Sequence, residues 1–314
     1  MFFAKSVPFD PQEDIPSLDG KVVLVTGGNA GLGKQSVLEL ARHNPTLIWL
    51  AARNLERAQK AADDIREQVP NAPIQTLELD LSSFDSVKAA AETVRSSEKG
   101  RLDILMLNGG IMAVPPGLTR EGYELQFGVN HMGHALLTKL LLPLLLATAS
   151  GNADAGTNQD VRVVTLTSGA HMMVSRGGFN FNSLKTPAEN MNGLARYNQS
   201  KLANVLFARH LAKLHPQLTV SAIHPGATQT NLAESVTDSP AIFKLFLKVC
   251  GGMFPTVEEG ARNQLWACFS EDVQSGEYYS PVGVGGGVSR DGKDDVLAKK
   301  LWDWTEVEIK GYSV

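Results

Sequence analysis

Short apolar runs alternate with amphipathic stretches along most of the chain, and this alternation predicts one kind of fold. Residues 21–26 (Lys-Val-Val-Leu-Val-Thr) form a β-rich run that ends in glycines, and residues 33–42 follow with helical character. Residues 46–51 predict the next strand, and the charged, amphipathic residues 55–68 the next helix. Strands are expected at 74–79 and 102–107, with a helix over 83–97 between them. The pattern then predicts a helix over 121–147, a strand over 161–167, a helix over 197–214 and a strand over 218–223. Short apolar strands separated by helices belong to a parallel sheet covered on both faces. The expected architecture is α/β, a single doubly wound domain with right-handed crossovers.

Several segments interrupt the pattern. Pro143 predicts a break or kink in the helix over 121–147. Residues 151–160 read as a polar loop, whereas 172–194 and 228–255 are long and weakly periodic, as active-site lids often are. A Pro- and Asp-rich tail, residues 1–19, precedes the domain expected over 20–314.

Composition narrows the class without naming a function. The 314 residues, 33.8 kDa, are 43% hydrophobic and 20% charged, which excludes a disordered, collagen-like or disulfide-stapled chain. Net charge is −4 and no basic run stands out, so the footprint of a nucleic-acid binder is missing. Cys250 and Cys268 are too few for a disulfide framework and suit a reducing compartment. The N-terminus lacks a secretory pattern. The most apolar stretch, 135–149, is interrupted by Thr138, Lys139 and Pro143 and falls short of the ~20 residues of a membrane span. A soluble, cytoplasmic protein without a transmembrane segment is the expectation.

The candidate chemistry begins at Thr26-Gly-Gly-Asn-Ala-Gly31-Leu-Gly33-Lys34, where a strand gives way to a helix. A helix N-terminus offers free N–H groups and positive partial charge, and glycine lets a phosphate approach the backbone. Two other readings compete. Gly28-x-x-x-x-Gly33-Lys34 nearly matches a nucleoside-triphosphate loop, but Gln35 stands where Ser or Thr should hold Mg²⁺, with Ser36 one residue late. A tight turn with no ligand is the other. Position after the first strand favours a dinucleotide. At the end of the second strand, Ala51-Ala52-Arg53-Asn54 offers a guanidinium for a 2′-phosphate and no carboxylate to repel it, which favours NADP(H). An arginine on a solvated loop is the alternative for Arg53.

Tyr197-Asn-Gln-Ser-Lys201 places a phenol and an ammonium on one helix face. A free phenol titrates near ~10, and a neighbouring cation is expected to lower that value toward a useful range. Ser168 ends the strand over 161–167, at the sheet edge that carries the glycine turn, where its hydroxyl suits a substrate oxygen. A simple Ser-Gly turn explains the same residues, and no Gly-x-Ser-x-Gly elbow supports a serine hydrolase.

With these motifs in this order, the chain resembles the short-chain dehydrogenase/reductase family from residue 20 onward, which implies a Rossmann domain. The resemblance implies a cofactor turn at Gly27, Asn29, Gly31, Leu32 and Gly33, an adenine contact at Asp80-Leu81, and an adenosine-side motif at Asn108-Gly109-Gly110. That last motif departs from the family's Asn-Asn-Ala-Gly, with Leu107 for the first Asn and Gly109 for Ala. Asn54 accompanies Arg53 on the cofactor side. Asn130, Ser168, Tyr197 and Lys201 match the family's catalytic tetrad, and Pro225, Gly226 and Thr230 its nicotinamide-contacting segment. The surroundings of Asn130, residues 197–207 and 275–279 are similar to the retinol-dehydrogenase and protochlorophyllide-reductase-like branch.

The resemblance implies hydride transfer between NADP(H) and a carbonyl or alcohol. Tyr197 would be the acid–base, Ser168 would hold the oxygen, Lys201 would hold the ribose hydroxyls, and Asn130 would anchor a relay water. Apolar residues in 241–254 and Met172, Met173 and Val174 suit an apolar substrate such as a lipid, retinoid-like or polyketide compound, or else simply pack on the core. Reduction of an activated C=C bond is the nearest enzymatic alternative. A non-catalytic NADP(H)-binding sensor or scaffold is the alternative from another class. His131, His134, His171 and His224 lack zinc-like spacing, so no metal is expected. In the family, helices corresponding to 120–147 and 197–214 often form a homodimer interface. Core burial, with 296–310 covering that face, accounts for the same apolar run over 140–147.

Overall fold

The computed structural model describes residues 5–151, 159–174, 178–226, 228 and 254–312. Thr230, Cys250 and most of the expected lid over 228–255 lie outside the described residues. Among the described residues, seven strands form one sheet in the order β3-β2-β1-β4-β5-β6-β7. They are β1 (Val22–Thr26), β2 (Leu47–Ala52), β3 (Ile74–Glu78), β4 (Ile104–Leu107), β5 (Arg162–Leu166), β6 (Thr219–Ile223) and β7 (Tyr278–Tyr279). Every adjacent pair is parallel. This is the doubly wound, Rossmann-type sheet that the alternating pattern predicts.

Strand β1 shows why its sequence reads as continuously apolar. Val22 and Leu24 enter one core and Val23 and Val25 the other, and all four are fully buried. Helices α4 (Phe84–Arg95), α6 (Gly133–Ser150), α7 (Gly193–Leu214) and α9 (Asp295–Glu308) cover the first face. Helices α2 (Gly31–Ala41), α3 (Leu55–Arg66) and α8 (Val257–Phe269) cover the second. Asn54, Ser83, Asn192, Thr256 and Asp294 cap α3, α4, α7, α8 and α9 by accepting N–H bonds from their first turns.

Three features differ from the sequence expectation. The helix expected over 121–147 is divided into a short α5 (Leu125–Phe127), a π turn (Gly128–Met132) and α6, which runs through Pro143 to Ser150. The irregularity falls at the π turn, whereas the helix continues through Pro143, which is exposed. Glycines bracket the π turn because the neighbours press in. A Cβ on Gly128 would lie 2.1 Å from Thr119 Cγ2, and one on Gly133 2.5 Å from the Leu81 carbonyl. Helix α8 is missing from the predicted elements, although Thr256 and Glu259 form a capping box ahead of buried Ala261, Leu265 and Trp266. The N-terminal tail is docked over its described part: a single turn, α1 (Pro11–Asp14), buried Ile15 and Leu18, and a bond from Val7 N to Val282 O at 2.9 Å.

Helix α9 packs across α7 and the π turn. Trp302 stacks on Phe207 at 5.4 Å, Glu306 pairs with Lys139, Asp295 pairs with Arg209, and Thr305 bonds His131 Nε2 at 3.2 Å. Leu140, Leu141 and Leu145 are buried in the chain's own core, so packing accounts for much of the apolar run there. By length and composition Leu125–Ser150 is apolar enough to cross a membrane, yet 67% of its most apolar window is buried within the chain.

His131 and His134 are fully enclosed, and burial pushes each imidazole down to about 3. An unfolded chain binds protons at these sites near pH ~6.5, while the folded chain refuses them until far lower pH. Stability is therefore unaffected by these groups above that value and falls as pH drops toward about 3. His131 lies between Phe127 and Phe207, with ring centroids at 5.0 and 5.6 Å. Replacing it with Phe is expected to shrink the stability lost between pH 7 and pH 4.5 by about 2 kcal/mol. Urea denaturation at the two pH values measures this, and an unchanged difference contradicts it.

Candidate active site

Strand order reverses between β1 and β4, and an open α/β sheet forms its ligand crevice at the carboxyl ends beside such a point. Asn108 spans the junction, its Nδ2 donating to the Thr26 carbonyl at 2.8 Å. Gly109 N donates to Thr26 Oγ1 at 2.9 Å. Helix α2 rises from the glycine turn at Ala30, which supplies no side-chain cap, so its first N–H groups stay available. Side chains are excluded here by crowding. A Cβ on Gly33 would lie 2.3 Å from the Gly27 carbonyl and 2.5 Å from Asn108 Nδ2. Gly27 and Gly31 adopt φ of +66° and +50°. Bare backbone, uncapped N–H groups and the helix end fit the pyrophosphate of a dinucleotide.

The rest of the cofactor side falls into place around this turn, with corrections. Lys34 bonds Asp64 at 2.5 Å, and Ser36 Oγ donates to Leu32 O while accepting from Gln264 Nε2. Neither is free for a triphosphate and Mg²⁺, so the nucleoside-triphosphate reading fails. Arg53 is exposed at the end of β2 and pairs with no carboxylate among the described residues. Asn54 spends its side-chain oxygen on the Arg57 N–H, so its side chain serves the α3 cap. Asp80 Oδ1 accepts from the N–H and hydroxyl of Ser82, which fixes the carboxylate in its turn. Leu81 is a buried spacer: its Cδ1 would lie 3.0 Å from a Cβ on Gly109, which explains glycine in place of alanine. Asn29 and Leu32 are half-buried on the glycine turn. Leu32 Cδ2 would lie 2.9 Å from a Cβ on Gly260 of α8, so that helix buttresses the turn. Pro225 and Gly226 follow β6 and line a cavity of about 410 Å³ with His224, Arg262 and Asn263.

The four catalytic candidates meet at the ends of β4 and β5. Lys201 Nζ lies 5.6 Å from the Tyr197 ring centre and donates to the Leu166 carbonyl at 3.1 Å. The Ser168 hydroxyl is bonded to that of Tyr197. Asn130, on the π turn, clasps the backbone of one residue: Oδ1 accepts from Ile111 N at 2.8 Å, and Nδ2 donates to Ile111 O at 3.0 Å. Nδ2 also reaches Ser200 Oγ at 2.9 Å, one residue before Lys201. Both Nδ2 hydrogens of Asn130 are thus committed to protein, and its Oδ1 accepts from the Ile111 N–H.

The electrostatics correct one expectation. Burial pushes the Tyr197 phenol up to about 12, opposed by the Ser168 bond, and brings the Lys201 ammonium down to about 8. Both groups are removed from water, and desolvation penalises each charge. A sequence spacing that sets them side by side does not by itself make the phenol acidic.

The sequence reading names His171 only among histidines without metal-ligand spacing, and it does not single out Gln126 or Arg196. His171 donates Nδ1–H to the Ser168 carbonyl at 2.6 Å and accepts Ser289 N–H on Nε2 at 3.1 Å, tying the serine to the C-terminal loop. Gln126 accepts from Ala113 N at 2.8 Å, and Arg196 donates to Val114 O at 2.7 Å, so the wall after β4 is held from behind. Histidine within bonding reach of backbone across the sheet leaves no signal in spacing. Among the described residues no group of three or more His, Cys, Asp or Glu is placed to hold a metal.

Gly33→Ala sets a methyl against the Gly27 carbonyl, a contact that only backbone movement relieves. The variant is expected to lose about 1–3 kcal/mol of stability and to weaken dinucleotide binding at least about tenfold. Thermal melts and nicotinamide-fluorescence titration measure the two effects; a variant that binds normally refutes the cradle.

Comparison with known proteins places this geometry. The family model for short chain dehydrogenases matches residues 21–170. The chain is 36% identical to the short-chain dehydrogenase/reductase drtF of Aspergillus calidoustus, covering 98% of each chain. It is 36% identical to human retinol dehydrogenase 13, over 91% of this chain and 83% of that one. A crystal structure of an uncharacterized protein from Mycobacterium paratuberculosis superposes with a TM-score of 0.72 at 31% identity, over 95% of this chain and 96% of that one. The glycine cradle, the Tyr197–Lys201 pair and these relatives agree: the chain belongs to the short-chain dehydrogenase/reductase family of oxidoreductases, in the branch that resembles the retinol dehydrogenases.

Proposed function

We propose that the protein interconverts a carbonyl and an alcohol on an apolar small molecule with NADP(H), with Tyr197 as the acid–base. The observation that carries this reading is the meeting of Tyr197, Ser168, Lys201 and Asn130 beside the glycine turn. The bound cofactor supplies the hydride. Everything else falls to the chain.

A phenol held up at about 12 keeps its proton at neutral pH. In that form it can donate to a carbonyl oxygen in the reducing direction. The Ser168 hydroxyl donates to the substrate oxygen as negative charge develops there. The hydroxyl of Tyr197 then delivers its proton to that oxygen. Lys201, brought down to about 8, is still charged at pH 7 and stands beside the phenol as it becomes anionic. Half-buried Ile111, Met112 and Val114 follow β4, and exposed Met172 and Met173 follow Ser168, so the segments after these two strands are apolar, which suits a hydrophobic substrate over a sugar phosphate.

Arg53 supports NADP(H) over NAD(H), since an unpaired guanidinium at the end of β2 suits a 2′-phosphate. Arg53→Ala is expected to weaken NADPH binding about tenfold or more and leave NADH binding nearly unchanged. Parallel titrations of the two cofactors check this, and an equal loss for both contradicts it.

NADPH oxidation against a panel of apolar ketones and aldehydes tests the activity itself. Tyr197→Phe is expected to keep NADPH binding and lose at least about a thousandfold in turnover. A variant that still turns over at near the parent rate overturns the role of the phenol.

A further inference from the structure

A buried chain of hydrogen bonds runs from the nucleotide crevice to the turn that carries Tyr197. Gly109 N donates to Thr26 Oγ1 at 2.9 Å, and Thr26 Oγ1 lies 2.9 Å from His134 Nε2. His134 Nδ1 lies 3.1 Å from the Asn130 carbonyl. Asn130 Nδ2 donates to Ser200 Oγ at 2.9 Å, and Ser200 Oγ donates to the Tyr197 carbonyl at 2.8 Å. Thr26, Asn130 and Ser200 are wholly buried and His134 nearly so.

The direction of each bond follows from the donor inventory. A carbonyl only accepts, so His134 carries its proton on Nδ1. Burial keeps the ring neutral, with a value down to about 3. Nε2 is then an acceptor, and the Thr26 hydroxyl donates to it while accepting from Gly109. The Nδ1–H tautomer satisfies both ends. The other could still donate from Nε2 to Thr26 Oγ1, whose proton would turn to the Met106 carbonyl at 3.4 Å, but it would set an unprotonated Nδ1 against the Asn130 carbonyl.

We infer that His134 is a positioning residue, which fixes the Asn130 peptide against the floor of the nucleotide crevice and thereby sets the Tyr197–Lys201 turn. Asn130 is the branch point. Its amide clasps Ile111 in the site wall and Ser200 in α7 at once, so a shift of its peptide moves both. The π turn supplies the freedom to shift, because its backbone bonds are not those of a regular helix. His134 removes that freedom from a point where it touches no reacting atom. The inference rests on the proposed acid–base role of Tyr197 for its catalytic consequence, but not for the tautomer.

His134→Phe keeps the ring volume and removes both bonds, whereas His134→Asn restores a donor near the Nδ1 position. With an apolar carbonyl that the parent accepts, the Phe variant is expected to lose about tenfold or more in kcat. Its KM and its NADPH Kd are expected to stay within about threefold. The solvent deuterium isotope effect on kcat should rise, since proton delivery is the step that loses its geometry, and the Asn variant should recover much of the rate. Parent-like kcat in the Phe variant overturns the inference. So does a loss shared equally by kcat, NADPH binding and thermal stability with no recovery in the Asn variant, which marks a purely structural role.

A second readout needs no turnover. Nitrogen-15 NMR of the parent is expected to show His134 as the Nδ1–H tautomer from pH 5 to pH 8, and Thr26→Val to perturb the Asn130 and Ser200 amides. An Nε2–H tautomer, or amides that stay unmoved, refutes the positioning chain. If the parent binds NADPH but reduces no carbonyl, the proposed function fails, and these NMR results still decide the inference.

Discussion

The site depends on how closely the turn after β1 approaches the end of β4. At that point Gly27, Gly33 and Gly109 leave no room for a side chain, and Asn108 ties the two strand ends with a bond to the Thr26 carbonyl. The contact is steric before it is chemical. Because backbone meets backbone there, the N-terminus of α2 stays open to a ligand, and the contact of Gly133 with Leu81 brings α6 down onto the segment after β3. Any methyl group added at the junction would push the glycine turn away from the end of β4.

Desolvation is the second constraint, and it works against charge. Tyr197 and Lys201 are each driven toward neutrality, as are His131, His134 and His224 around them. A dry pocket makes each dipole in it count for more than it would in water. The Ser168 hydroxyl is one such dipole, and it opposes the effect of burial on the phenol. Bringing a charged or polar ligand into this pocket would change those balances.

Much of the fold was legible because burial on two faces writes itself into a strand as an unbroken apolar run, as at β1 and β2. That Tyr197 and Lys201 would stand together was legible because four residues make about one helical turn. Other features had no local signature. The π turn depends on Thr119 and Leu81 pressing on Gly128 and Gly133, so it is a tertiary effect recorded only as two glycines. Helix α8 carried a readable capping box in Thr256 and Glu259, which the apolar periodicity overlooked. The direction of the Tyr197 shift could not be read from spacing, since it depends on how much water reaches the phenol. His134 was visible as a polar residue, but its partner Thr26 lies in β1.

Helix α9 has a consequence for how the protein folds. It lies against Phe207, Lys139 and His131, on the outer side of the same helices whose inner side forms the candidate site. These contacts join residues far apart in the chain, Lys139 to Glu306 among them. Until they form, the back of α7 lacks this cover, and a partly folded chain exposes apolar surface there. The last tightening of the site therefore belongs to a long-range step of folding rather than to the local closure of a helix.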